Sequence, residues 1–456
     1  MRDWNLKSFR RTSALSKIAC VIITISIIAG LCDCSALKKE IPKESDTVEA
    51  PPVLPQGKPG SIRGIDINGD VHETSVNIID DAEAEENAAH SLPERTLAQV
   101  AQNLSVPDER NYAYSQLDES GKTCYREIYA ILSDMLEKIE LTSTDPDEVD
   151  LAFRAVMVDH PEIFYVKGYS IGKYMSGNTL KKIAFSGTYT MPEDRVPAKR
   201  DEVEAYVERV ISGCPEDAGE YEKIKYVYDY LIENNDYVVD SDNNQNILSV
   251  VENGRTVCQG YTKMMQLILN RMGIFCTLVN GRACGRNGVP DSDDLENMDD
   301  AEWGGHVWNI VRCDGMYYNL DVTWGDAAIK LMNTDGSLSH DIDINYELFL
   351  VDDNALLSTH DPEPVVRMPR CNSMEDNYYQ HEGLYFTGVD PDQFYRAFEA
   401  GFSSGESIIF IKCSSSDVYA DVRAHLFDEQ KIFEYMGSTN VRYVEFPERN
   451  LIMISL

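Results

Sequence analysis

The sequence predicts an α+β fold, and three observations carry that prediction. Tyr261, Met264, Met265, Ile268, Leu269 and Met272 follow a helical period that closes on Gly273, where a C-terminal cap belongs. Asp314-Gly315 joins the runs His306–Cys313 and Met316–Thr323, a strong hairpin signal. Helix-like and strand-like stretches also occur together on both sides of this region.

Residues 1–34 carry five bases (Arg2, Lys7, Arg10, Arg11, Lys17) against Asp3 and Asp33, a net charge of +3. Ile18 to Leu31 is a run of 14 residues with only Thr24 and Ser26 as weakly polar members. It falls short of the roughly 20 apolar residues of a stable membrane span. A basic stretch followed by a short apolar run is the pattern of an export signal, with an uncleaved N-terminal anchor as the rival. Cys32 and Cys34 follow at once, as at the end of a bacterial lipoprotein signal. Leu31 and Asp33 stand before them, where that signal wants a small residue. The expected location is therefore the cell surface or the extracellular space. Residues 35–95, with Pro51-Pro52, Pro55 and Pro59-Gly60, lack sustained periodicity and read as a flexible stalk.

An N-terminal α+β domain is expected over 96–215. Tyr125 to Ile139 repeats with helical spacing, so a helix runs from about Ser120 to Leu141. Val149–Val158 reads as a second helix, Ile163–Val166 and Lys181–Met191 as strands, and Val203–Ile211 as a third helix stopped at Gly213. The core is expected over 216–345. It opens with an amphipathic helix marked by Ile224, Val227, Tyr228 and Leu231, followed by Gly254-Arg255-Thr256-Val257-Cys258-Gln259-Gly260-Tyr261. Ile274–Val279 reads as a strand. The C-terminal α+β domain, 346–456, has strands at Gly383–Thr387, Ser407–Lys412, Val441–Phe446 and Leu451–Ser455, and helices at Asp390–Gly401 and Asp417–Phe427.

Composition bounds the function classes. The 456 residues are 43% hydrophobic, so a sizeable core forms and wholesale disorder is excluded. The net charge is −36, from 77 acids against 41 bases. Phosphates would be repelled, which excludes nucleic acid as a partner, and membrane contact is expected only through the N-terminal segment. With the basic leader set aside, the remainder carries −39. Seven acids fall within 291–302, directly before His306. Carboxylates suit calcium, but the spacing lacks an EF-hand pattern. The expectation is a solvated loop that favours basic substrates. Of the 11 cysteines, Cys124, Cys214, Cys258, Cys276, Cys284, Cys313, Cys371 and Cys413 lie beyond the leader. No CxxC pair occurs, and no metal or cofactor is expected.

Cys258 opens the buried helix. A helix N-terminus supplies partial positive charge and unpaired N–H groups, which stabilise a thiolate. A neighbouring imidazole completes the activation and a carboxylate orients it. A two-residue turn at Asp314-Gly315 pairs Cys313 with Met316, so His306 faces Thr323 and Trp308 faces Asp321. His306 and Asp321 are then diagonal neighbours on one face, roughly 7–8 Å apart at the backbone. A one-residue slip would send them to opposite faces. Strands deplete aspartate, so Asp321 needs a reason to be there.

Three blocks appear in order: Gly254 to Tyr261, Gly305-His306-Val307-Trp308-Asn309, and Asn319-Leu320-Asp321-Val322-Thr323-Trp324-Gly325-Asp326. Together, over roughly residues 216–330, they resemble the transglutaminase-like superfamily. The flanking Asp159-His160-Pro161-Glu162-Ile163-Phe164-Tyr165 and the stretch from Phe349-Leu350-Val351 to His360 are similar to bacterial surface proteins built around this domain. The resemblance implies a papain-like core, with Cys258 as nucleophile, His306 as general base and acid, and Asp321 as its orienter. It implies acyl transfer from a peptide or protein amide through a thioester, without selecting crosslinking over peptidase or amidase action. A non-catalytic surface binding module is the alternative outside that class. One oxyanion donor would be the Cys258 backbone N–H. Gln245, Gln259 and Tyr237 all stand open as a side-chain donor. Trp308 and Trp324 are expected to pack beside the site.

Overall fold

The computed structural model describes residues 111–240, 242–284, 303–326 and 344–456. It also describes the backbone of the strands Lys7–Arg10, Glu73–Ile78, Ile329–Met332 and Leu338–Ile342. The rest of the expected export signal, the rest of the expected stalk and the whole acidic loop lie outside the described residues.

Helix α1 (Glu119–Ser133) starts where Asp118 accepts a hydrogen bond from the Gly121 N–H. Its apolar period continues in the sequence to Ile139, but the chain leaves the helix at Asp134 and Met135 takes a left-handed φ of 50°. Neither glycine nor proline marks that stop. Ile139–Glu140 then pairs as a short strand instead. Helix α2 (Pro146–Asp159) has proline in its first turn and Asp145 as its cap. Residues 163–165 turn rather than extend. Strand β1 (Val166–Ser176) begins where they end and pairs antiparallel with β2 (Thr179–Tyr189). Helices α3 (Val196–Gly213) and α4 (Glu220–Glu233) follow.

Helix α5 (Cys258–Arg271) is the central element, with Tyr261, Met264, Met265, Ile268 and Leu269 all fully buried. An antiparallel sheet lies against it. In chain order its strands are β3 (Cys276–Cys284), β4 (Trp303–Cys313), β5 (Met316–Leu320) and β6 (His360–Pro362), and in space they run β5-β4-β3-β6. One apolar cluster runs from Ala113 to Leu350, so the N-terminal helices and α5 share a core. Phe275, Trp308, Trp324, Met368 and Cys371 belong to another cluster, which the chain beyond 346 helps to close.

A separate apolar cluster spans Tyr379 to Ile454. It is built on α6 (Pro391–Ser404), β7 (Ile408–Cys413), α7 (Ser416–Arg423), β8 (Asn440–Phe446) and β9 (Leu451–Ser455). The sheet order is β8-β9-β7, with Lys7–Arg10 pairing on the β8 edge and Tyr385–Phe386 pairing parallel to β7. The eight cysteines from Cys124 to Cys413 are free, and seven are buried. Among the described residues no helix is long and apolar enough to cross a membrane.

Candidate active site

The register of β4 and β5 is the one the Asp314-Gly315 turn dictates. Met316 pairs with Cys313, and the ladder continues to Leu320 opposite Asn309. The strand then ends at Leu320, three residues before the sequence expectation. Asp321 is the N-cap of a short helix, Val322–Gly325, and its Oδ1 accepts a hydrogen bond from the Trp324 N–H at 3.0 Å. That capping bond is the physical reason for an aspartate at this point: the residue leaves the ladder and starts a helix. His306 consequently faces no strand residue at Thr323, and its sheet partner is Gly281 of β3.

The motif residues each have a structural task. Val257 caps α5, so Cys258 is its first residue. A Cβ at Gly260 would stand 1.8 Å from Thr256 Oγ1, which makes this glycine a condition for seating α5 on the strand before it. Asn309 Nδ2 donates to the Thr262 carbonyl at 3.1 Å, and Thr262 Oγ1 donates to the Val307 carbonyl at 3.1 Å. These buried bonds fix α5 against β4. Trp308 Nε1 donates to Asn319 Oδ1 at 3.3 Å, tying the second motif to the third. A Cβ at Gly281 would lie 2.4 Å from the Asp361 carbonyl oxygen, so the bare glycine is what lets β6 approach.

The structure brings Cys258, His306 and Asp321 together. His306 Nε2 lies 2.6 Å from Asp321 Oδ2, and neither side chain reaches solvent. With Nε2 engaged, Nδ1 has no well-formed hydrogen bond of its own, and the Cys258 thiol is the other group acting on the ring. Cys258 retains 9% exposure while His306 and Asp321 have none. Cys258 is thus the most accessible residue of the three. Burial works against the imidazolium, but Asp321 and Cys258 outweigh it and push the His306 pKa up to about 10. Burial likewise works against the carboxylate. The charge and hydrogen bond of His306, aided by His360, overcome this and hold Asp321 below the ordinary carboxylate range. Both shifts favour the imidazolium–carboxylate form of the pair.

His360 is the residue that sequence reasoning passed over. Its Nε2 lies 3.0 Å from the same Asp321 Oδ2, and its Nδ1 lies 2.7 Å from Thr359 Oγ1. It is 39 residues from Asp321 and arrives on β6, a three-residue strand without a periodic signature. The available signal was its position at the end of a stretch resembling surface proteins of the same architecture. Trp308 and Trp324 are buried and pack on His360, with ring centroids 5.0 and 4.9 Å away. His306, Asp321 and His360 offer three ligating atoms within 4.8 Å, a set that would suit a metal by type. Hydrogen bonds among the three atoms already satisfy them.

Of the open candidates for a side-chain donor, Tyr237 stands close enough to Cys258 and Asp321 that, after burial, their charges raise its pKa. Gln259 is 2% exposed and neither its Nε2 nor its Oε1 has a hydrogen-bond partner. Gln245 accepts at its backbone carbonyl from Lys263 Nζ. A cavity of about 280 Å³, lined by His160, Glu162, Arg200, Leu267, Asn270 and Arg271 among others, lies near the C-terminal end of α5. Cys258 is roughly 20 Å from that end along the helix, and the cavity touches none of the three clustered residues.

Residues 204–322 match the family model described as "Transglutaminase-like superfamily". No curated protein matches the chain. Among solved structures, the chain is similar to a TGase at 14% identity and TM-score 0.23, covering 37% of this chain and 47% of that one. It is similar to a proposed cysteine protease from Cytophaga hutchinsonii at 11% identity and TM-score 0.21, covering 33% and 55%. It is also similar to a proposed protease from Parabacteroides distasonis at 11% and 0.19, covering 39% and 45%. The chain spans about half the length of each, and identities this low assign neither activity nor substrate. The family match coincides with the segment that supplies Cys258, His306 and Asp321, and residues 204–322 are a transglutaminase-like domain within a longer α+β chain.

Proposed function

We propose that this chain is an exported cysteine enzyme that moves acyl groups from peptide or protein amides through a thioester on Cys258. The observation that carries this reading is the buried His306–Asp321 pair at 2.6 Å with the Cys258 thiol also acting on the imidazole. A packing role asks for no such arrangement. A buried charge pair costs desolvation that apolar residues would avoid.

In the proposed cycle the Cys258 sulfur attacks the amide carbon, and the backbone N–H of Cys258 steadies the oxyanion. His306 gives its proton to the leaving amine as the carbon–nitrogen bond breaks, which leaves a thioester. An incoming amine or water then loses a proton to His306, attacks the thioester and releases Cys258. The amine outcome is crosslinking and the water outcome is hydrolysis. Asp321 holds the imidazole in the tautomer and orientation that both half-reactions need.

The test is incubation with a glutamine-rich protein and a labelled primary amine. Label incorporation or protein fragments are expected from the wild type, and Cys258→Ala abolishes both. Undiminished turnover in Cys258→Ala, or none in the wild type across varied protein substrates, overturns the reading.

Export rests on the basic and apolar succession of residues 1–34, with Cys32 or Cys34 as a lipid attachment point. Removal of residues 1–34 is expected to retain the protein inside the producing cell. Secretion of the shortened chain contradicts this assignment.

A further inference from the structure

We infer that His360 is a positioning residue that fixes the Asp321 carboxylate toward His306. The inference rests on the acyl-transfer reading for its consequence in turnover, but its geometry stands by itself. Asp321 follows the last residue of β5 and caps a helix of four residues, so local structure restrains one carboxylate oxygen only. Oδ1 is tied by the Trp324 N–H. Oδ2, the oxygen that meets His306, is shared with a donor from a different strand.

That second donor is itself fixed. Thr359 Oγ1 sits 2.7 Å from Nδ1 and donates to the Leu356 carbonyl at 3.2 Å, so Nδ1 is held between this hydroxyl and that carbonyl while Nε2 faces Asp321 Oδ2. The rings of Trp308, Trp324 and His306 surround the imidazole at 5.0, 4.9 and 5.3 Å. His360 has no solvent-exposed side-chain surface, so its orientation is set by packing. β6 reaches this place because Gly281 leaves room for the Asp361 and Pro362 backbone. A carboxylate with no access to water needs its lone pairs satisfied, and each lost donor both costs stability and frees rotation. A neutral imidazole suits this task. A second imidazolium would place two cations on one buried carboxylate, and burial in fact lowers the His360 pKa against the pull of Asp321.

The role differs from packing in what it predicts for the conservative variant. His360→Gln keeps an N–H donor at a similar reach, whereas His360→Phe keeps a ring and loses the donor. Two readouts are taken on folded protein: the alkylation rate of Cys258 by iodoacetamide at pH 6, and kcat and KM for acyl transfer. His360→Phe is expected to slow alkylation about tenfold and to lower kcat on the order of 10–100-fold, with KM changed less than about twofold, by analogy with outer-shell partners of other sites. His360→Gln recovers most of both. Should His360→Phe fail to fold, Thr359→Val removes the Nδ1 tether and is expected to lower both rates in the same direction. Wild-type rates in folded His360→Phe or Thr359→Val, or a His360→Gln as slow as His360→Phe, overturn the inference. If the wild type transfers no acyl group while alkylation still follows the His360 series, the proposed function fails and the positioning role stands.

Discussion

Asp321→Asn is expected to lower acyl-transfer turnover by about four orders of magnitude, the scale seen when the orienting carboxylate of such a trio becomes an amide. An asparagine can keep the Trp324 N–H bond through its carbonyl. It cannot face two imidazole N–H groups at one charged oxygen, and it offers no counter-charge to a buried imidazolium. The same change is expected to destabilise the fold by about 3–5 kcal/mol, the scale for breaking a buried pair.

That stability difference should depend on pH in a defined window. The His306 pKa is raised in the fold, so its contribution is full below the ordinary value of 6.5 and is lost as pH rises through about 10. The Asp321 pKa is depressed, so its contribution is present above the ordinary 3.8 and is lost as pH falls further. The gap in Tm between wild type and Asp321→Asn is therefore widest between pH 4 and 6.5 and narrows toward pH 10. Thermal unfolding across that range measures it. A gap that grows with rising pH contradicts the ion pair.

Much of this site is legible in the sequence because local rules determine it. The period from Tyr261 to Met272 places Cys258 at a helix start, and the two-residue Asp314-Gly315 turn admits one register, which brings His306 and Asp321 to the same end of the hairpin. The helix–hairpin contact is carried by Asn309, inside the second motif block, and Thr262, one residue beyond the first, while the bare Gly260 seats α5 on the strand before it. The less legible features are non-local. The end of α1 at Asp134 has no glycine or proline to announce it, and the periodic Ile139 is recruited by the strand at Phe185. The exit of Asp321 from the ladder is a competition between strand pairing and a capping bond three residues away, which alternation alone does not resolve. His360 is the extreme case: a short edge strand brings it to Asp321 from outside all three motifs, by way of a glycine on yet another strand.

The most direct test is the reactivity of the Cys258 thiol in the wild type and in His306→Ala. Alkylation is followed on the Cys258 peptide by mass, because other cysteines share the chain. A thiol paired with an imidazolium attacks the alkylating reagent as its thiolate, so at pH 6 the wild type is expected to react at least about tenfold faster than His306→Ala. The two should converge as pH rises past the ordinary thiol range. Equal rates at pH 6, or a wild-type thiol that reacts no faster than a free cysteine there, would contradict an activated Cys258.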